Sequence, residues 1–284
     1  MSSEIDASGK TVLVTGATDG LGRALAHDLC AVGATVLIHG RDPGRIRRTQ
    51  QDIARAFGSE RLRSYCADFS SLADVRRMAV EILAHEPRLD VLVNNAGIGT
   101  NVPGGERRMR SADGHELRFA VNHLAGYLLT QQLLVLLRAS APARIVNVSS
   151  AGQRAIDFDD VMLERDYSGV RAYCQSKLAQ VLFTFTLADE LESSGVTATC
   201  LHPATYMPTK IVASPVSTLA EGVNATLRLA ANPALQEVTG KYFNGTREAQ
   251  ADPQAYDLDA RRRLEEVSRA LVDVRAQSVE PPHE

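Results

Sequence analysis

The sequence predicts an α/β protein: a three-layer, doubly wound parallel sheet of about seven strands. Two observations predict it. Short β-branched runs alternate with helix-length amphipathic segments along most of the chain, the pattern of a parallel sheet covered on both faces. The first such run ends in a glycine-rich turn that opens directly into a helix, and right-handed crossovers then wind the sheet both ways. The chain is long enough for that core: 284 residues, 44% hydrophobic, 23% charged, with a net charge of −3. No shift in composition, repeat or low-complexity tract divides it, so a single domain is expected over residues 1–284.

The elements follow in order. Thr11 to Gly16 is the first strand and its glycine end, and Leu21 to Ala31 has helical spacing. Thr35 to Gly40 is a second strand, Arg45 to Phe57 a helix, Leu62 to Ala67 a third strand, and Leu72 to His85 a helix. Leu89 to Gly97 carries the fourth strand, and a long helical region runs from about Asp113 to Ala139. Ala143 to Ser150 is a strand, Ala172 to Ser193 a helix, and Val196 to Pro203 a strand. A helix from about Thr218 to Ala231 precedes the GKYFNG run at Gly240 to Gly245, and Tyr256 to Val274 reads as a last helix in a polar tail over about 246–284.

Composition narrows the function classes. The apolar fraction is too high and the net charge too small for a disordered chain. A slightly acidic protein with dispersed basic residues is a poor candidate for nucleic-acid or membrane-surface binding. Cys30, Cys66, Cys174 and Cys200 lack ligand spacing, so no metal site is expected, and they read as reduced cytoplasmic thiols. The opening MSSEIDASGK carries no apolar h-region, so secretion is not expected. The apolar stretch Tyr127 to Leu137 is too short to span a bilayer and reads as a buried helix. Lysine occurs only at 10, 177, 210 and 241, which draws attention to each.

The first turn reads Thr15-Gly16-Ala17-Thr18-Asp19-Gly20-Leu21-Gly22. Its glycines permit a tight bend and let a pyrophosphate approach the helix N-terminus, as in a Rossmann-like nucleotide site. The second strand ends in Gly40-Arg41 where an NAD site usually has a carboxylate for the ribose hydroxyls. An arginine there pairs with a 2′-phosphate, which favours NADP(H) over NAD(H). Asp42 is expected to start a turn with Pro43. Asp19 sits awkwardly beside a phosphate, but it can cap the following helix.

Tyr173 and Lys177 form a Y-x-x-x-K pair whose side chains project from one helix face. A phenol with its free pKa near 10 is a weak acid–base group at neutral pH, and a neighbouring ammonium is expected to lower it. Ser150 ends the preceding strand, at the carboxyl edge of the sheet where active-site groups emerge, and its hydroxyl can donate to a substrate oxygen.

With these motifs in order, the chain resembles the short-chain dehydrogenase/reductase family over roughly Gly9 to Gly245. TGATDGLG resembles the family's cofactor turn, contributing Gly16, Thr18, Asp19, Gly20, Leu21 and Gly22. The resemblance implies that Asp68, with Phe69 beside it, meets the adenine. It implies that Asn95, Ala96 and Gly97 of the NNAG motif line the cofactor, and that Asn122 of VNHLAGY holds a water in a proton relay. It identifies Ser150, Tyr173 and Lys177 as the catalytic group, with Asn122 beside them. Within the family the chain resembles the retinol-dehydrogenase-like and WW-domain-oxidoreductase-like branch, in a soluble bacterial form. That branch has a long segment between serine and tyrosine, here an insertion at about 151–171 rich in Asp and Glu, which reads as a solvated acidic loop.

One segment departs from the family pattern. After the sixth strand the chain reads His202-Pro203-Ala204-Thr205-Tyr206-Met207-Pro208-Thr209, with alanine for the usual glycine and proline at the usual hydroxyl position. Pro203 is expected against the nicotinamide, and either Thr205 or Thr209 against its amide. Tyr206 and Met207 either line the substrate pocket or pack beneath a lid expected at about 205–220. His123 reads as a packed residue, not a second base.

The expected function is NADPH-dependent reduction of a ketone or aldehyde to an alcohol, in a setting such as secondary metabolism. An NAD(P)+-dependent dehydrogenase acting on a hydrophobic or polycyclic alcohol is the first alternative. A non-catalytic nucleotide-sensing or scaffold protein is the second. The expected partners are a small carbonyl or alcohol substrate and, as a homodimer or homotetramer, further copies of the chain through the two long helices.

Overall fold

A computed structural model of the chain describes residues 5–100, 107–205, 207 and 216–273. Its centre is one eight-stranded sheet in the order β3-β2-β1-β4-β5-β6-β7-β8. The strands are β1 (Thr11–Val14), β2 (Thr35–Gly40), β3 (Leu62–Cys66), β4 (Val91–Asn94), β5 (Ala143–Val148), β6 (Val196–His202), β7 (Lys241–Asn244) and β8 (Arg247–Glu248). All neighbours run parallel except β7 and β8, which form a short antiparallel pair through Phe243↔Glu248 and Asn244↔Arg247. The expected seven strands are all present; the two-residue β8 was too short to leave a period in the sequence.

The strands alternate between two cores. Leu13, Leu37, Leu92 and Ile145 face one, with helices α3 (Leu72–His85), α5 (Ala125–Ala139), α6 (Gly169–Glu190) and α8 (Leu258–Asp273). Val12, Val14, Val36, Ile38, Val93 and Val146 face the other, with α1 (Gly20–Ala31) and α7 (Leu219–Ala231). Successive strand side chains point to opposite faces, so a continuous apolar run is what two-sided burial requires.

Local chemistry sets the helix ends. Asp42 caps α2 (Pro43–Phe57) by accepting from the Arg45 amide at 2.8 Å, with Pro43 at the first helical position. Thr218 and Glu221 form a reciprocal capping box at the start of α7. The region expected as one helix from Asp113 starts later, at α4 (Leu117–Phe119), and passes through a π-helical turn at Ala120–Leu124 before α5. By length and composition alone, Leu117–Ala139 is apolar enough to cross a membrane, but 61% of its most apolar 18-residue window is buried among other elements.

The helix α8 changes the expectation for assembly. It lies against the helices proposed to meet a second copy. Tyr127 donates to Glu265 at 2.7 Å, Ser268 meets His123 at 2.7 Å, and Arg261 pairs with Asp189. Part of the α5–α6 face is therefore covered by the chain's own tail, whose packing lies beyond the reach of local pattern.

Candidate active site at the carboxyl edge of the sheet

The turn after β1 is braced from both neighbouring strands. Gly16 has φ +66, a left-handed conformation that disfavours a side chain. A Cβ on Gly22 would lie 2.4 Å from both the Gly16 carbonyl and Asn95 Nδ2, so the helix can start only this close to the turn with glycine. Thr15 Oγ1 accepts from the amides of Asn95 and Ala96 at 2.9 and 3.0 Å, and Asn95 Nδ2 donates to Thr15 O at 2.8 Å. The NNAG motif thus fastens the segment after β4 to the turn after β1. Asn94 reaches the other way, donating to Thr130 Oγ1 and Asn147 Oδ1 at 2.9 and 2.8 Å.

The other expected cofactor residues gather at the same edge, with corrections. Asp19 caps α1 through the Gly20 amide and is paired with Arg45 at 2.6 Å, which neutralises the carboxylate that seemed awkward beside a phosphate. Thr18 packs over Gly40, where a Cβ would come within 2.5 Å of Thr18 Cγ2. Arg41 is exposed at the strand tip. One Asp68 oxygen accepts from the Ser70 amide at 2.9 Å. Phe69 is buried and stacks on His39 with ring centroids 4.2 Å apart, and Leu21 is likewise in the core. Pro203 is buried and Thr205 exposed, with Thr205 Oγ1 3.1 Å from His202 Nε2. Ser217 N donates to Thr205 O at 3.0 Å, drawing the two ends of the expected lid together. Met207 packs on Gly222 and the α1–α7 core, not on an open pocket. Tyr206, Pro208 and Thr209 lie outside the described residues.

Ser150, Tyr173, Lys177 and Asn122 converge at the ends of β4 and β5. Lys177 Nζ donates to Val148 O and Gln180 Oε1, both at 2.9 Å, and lies 5.8 Å from the Tyr173 ring centroid. A methyl on Gly97 would sit 3.2 Å from Asn122 Oδ1 and 3.5 Å from Lys177 Nζ, so glycine leaves this corner open. The π-helical turn presents Asn122 to Ile98: its Oδ1 accepts from the Ile98 amide at 2.8 Å, and its Nδ2 donates to Ile98 O and Ser176 Oγ at 3.1 and 2.9 Å. Its direct partners therefore hold the loop after β4. Ser149 points away and donates to Lys177 O at 2.7 Å, leaving Ser150 toward Tyr173.

The electrostatics differ from the sequence argument. Burial pushes the Tyr173 phenol above its ordinary value, partly offset by its hydrogen bond with Ser150. The same burial pushes the Lys177 ammonium down to about 7. Desolvation is the leading cause of both shifts.

The insertion before Tyr173 is organised, not a free acidic loop. Asp160 accepts from the Glu164 and Arg165 amides at 2.8 and 2.9 Å, and Gln175 and Gln254 hold the Asp157 and Ile156 amides. Beneath it sits a group the sequence reading missed. Arg118 is fully buried, donating to Gly99 O and Thr100 O at 3.0 Å each and to the Tyr167 hydroxyl at 2.6 Å. Tyr167 in turn donates to Glu116 at 3.2 Å. An arginine inside a helical run carries no local sign of burial. Tyr242 adds a brace from β7, donating to Ser150 O at 3.2 Å.

Two buried imidazoles make acid stability a test of this packing. Burial lowers His39 to about 4, against a small opposing pull from Asp68, and lowers His123 to about 3. His123 is thus the packed residue expected, tied to Ser268. Both are neutral when folded, whereas in the unfolded chain each binds a proton below about 6.5. Stability is therefore full above pH 6.5 and falls as pH drops toward 4, by up to about 3 kcal/mol per pH unit for the pair. Urea midpoints measured from pH 7.5 to 5 are expected to fall below 6.5; a flat profile between 6.5 and 5 contradicts the burial of both rings.

Among the described residues no cluster of His, Cys, Asp or Glu could hold a metal ion. The glycine-bounded helix start and the open corner at Gly97 beside a buried lysine fit a nicotinamide dinucleotide.

The short chain dehydrogenase family model matches residues 10–220, and the chain belongs to that family of oxidoreductases, in its retinol-dehydrogenase-like branch. It is 38% identical to human retinol dehydrogenase 14 over 295 residues, covering 93% of this chain and 86% of the relative. To human retinol dehydrogenase 13 it is 39% identical over 292 residues, covering 95% and 87%. Among solved structures, an uncharacterized protein from Mycobacterium paratuberculosis superposes with a TM-score of 0.76 at 29% identity, over 95% of this chain and 96% of that one. The Pseudomonas aeruginosa RhlG/NADP active-site complex gives 0.68 at 27% identity, over 84% and 95%.

Proposed function

We propose that the chain is a cytoplasmic, single-domain NADPH-dependent reductase that converts a ketone or aldehyde to an alcohol. The observation that carries this reading is the convergence of Ser150, Tyr173, Lys177 and Asn122 beside Gly97, at the end of the sheet that also holds the glycine turn. Gly16, Thr18, Gly20, Gly22, Asn95, Ala96 and Gly97 would hold the dinucleotide, with Pro203 and Thr205 at its nicotinamide end. Asp68 would hold the adenosine. When bound, it supplies the hydride.

The chain's own groups do the rest. Ser150 Oγ and the Tyr173 hydroxyl donate to the substrate oxygen, which gathers negative charge as the carbon is reduced. Tyr173 then releases its proton to that oxygen, with the Lys177 ammonium beside it to stabilise the phenolate. Asn122 keeps the loop at Gly97–Ile98 clear of Lys177. Running the steps backwards oxidises an alcohol; the retinol dehydrogenase relatives favour a hydrophobic alcohol for that direction. A homodimer or homotetramer would have to use surface that α8 leaves free.

Cofactor choice is carried by Arg41, which places positive charge at the tip of β2, and by the Arg45–Asp19 pair, which offsets the carboxylate in the turn. Arg41→Ala is expected to weaken NADPH about ten- to a hundredfold and leave NADH nearly unchanged. Calorimetric titration with each cofactor checks this; equal losses would refute the 2′-phosphate role. Turnover of a carbonyl panel with NADPH tests the activity itself.

A further inference from the structure

His39 lies outside every motif that identified the site, yet it touches two of the segments that build it, the turn after β1 and the segment after β3. It is the penultimate residue of β2 and only 3% exposed. Its Nδ1 accepts from the Gly16 amide at 3.1 Å, and its own carbonyl accepts from the Ala17 amide at 2.8 Å. Its Nε2 meets Ala67 O at 3.1 Å, and its ring stacks on Phe69 at a 20° interplanar angle. A carbonyl can only accept, so Nε2 carries the proton and Nδ1 keeps its lone pair. The neutral ring that burial enforces is the form this arrangement needs.

Gly16 is the pivot of the glycine turn. Asn95 approaches its carbonyl from the β4 side at 3.4 Å, and His39 holds its amide from the β2 side. The left-handed glycine is thereby tied at both of its backbone polar groups. An amide that is buried without a partner favours a different backbone conformation.

We propose that His39 is a positioning residue for dinucleotide binding: its Nδ1 lone pair holds Gly16 in the conformation that aims the turn and the start of α1 at the cofactor's phosphates. The proposal rests on the reading that this turn binds NADPH. It deepens that reading by naming a residue which sets cofactor affinity without touching the cofactor.

The test separates ring packing from the lone pair. His39→Phe keeps a flat ring on Phe69 and removes the acceptor. His39→Asn discards the ring and keeps an acceptor oxygen at the Nδ1 position. NADPH binding is measured by calorimetry on the full chain, with melting temperature recorded beside it. His39→Phe is expected to weaken NADPH about tenfold, the factor one lost hydrogen bond supplies, and His39→Asn to recover most of that loss. A His39→Phe protein that melts lower but binds NADPH as the parent does overturns the proposal. So does a His39→Asn protein as weak as the Phe variant. If the parent chain binds neither NADPH nor NADH, the functional reading itself has failed, which is a distinct result.

Discussion

Replacing Tyr173 by phenylalanine is expected to lower turnover by about 10²- to 10⁴-fold, the range that a positioned general acid contributes. The ring keeps its packing and only the hydroxyl is lost. The fold should therefore persist, and NADPH affinity should stay within a few-fold of the parent. The diagnostic outcome is a collapse in kcat, measured with NADPH and the best carbonyl of a panel, while cofactor binding survives. Unchanged turnover would remove Tyr173 from the chemistry and favour a scaffold or sensing role. The direction of the phenol's pKa sharpens the point. Burial holds the proton on Tyr173 at neutral pH, so in the protein alone the group is poised to donate it.

The second large effect is structural. Arg118→Met is expected to cost about 3–5 kcal/mol, the usual loss when one member of a buried charged group is removed. Among the described residues, the carbonyls of Gly99 and Thr100 and the Tyr167 hydroxyl depend on that guanidinium. Glu116, 1% exposed, would lose its ion pair with Arg118 at 3.9 Å. Against a typical total stability of about 5–15 kcal/mol, that is a large share. Arg118→Lys should recover only part, because a compact ammonium cannot span acceptors that a planar fork reaches. Urea denaturation of both variants measures this; a Met variant within about 1 kcal/mol of the parent would show that the buried group is not needed for stability.

What was legible in the sequence and what was not divide by range. The glycine turn and the Tyr173–Lys177 pair are local patterns with a chemical reason for their spacing, NNAG is a local pattern known by its family resemblance, and the three land together at one sheet edge. The strand periods are equally local, so the core could be assigned before any contact was known. Phe69 was placed by its neighbour Asp68, but a side chain next in sequence leaves a strand end in another direction, and here it enters the core beside His39. Arg45 sits one helical turn beyond Asp42, and only the bend at Pro43 brings it back to Asp19. Arg118, Tyr242 and His39 read as ordinary helix and strand residues because each gains its role from partners distant in the chain. The start of the Asp113–Ala139 helix was misplaced for a related reason: Glu116 is drawn into a bridge with Arg110 instead of the helix.

The distance along the chain between Ser150 and its supports has a consequence for how the molecule comes into being. Ribosomes release the chain from its N-terminus, and domains begin to fold as they emerge. The strands around the glycine turn, β1 to β4, are complete once Asn94 is out. The serine and its insertion wait for Tyr242, Asp252 and Gln254, which hold Ser150 O, Gln153 and Ile156 across more than 90 intervening positions. His123 waits longer still, for Ser268 in α8. The chain that forms the glycine-turn half of the edge thus emerges early in synthesis, and the supports of Ser150 emerge late. Stalled or prematurely ended chains would then emerge without a braced Ser150.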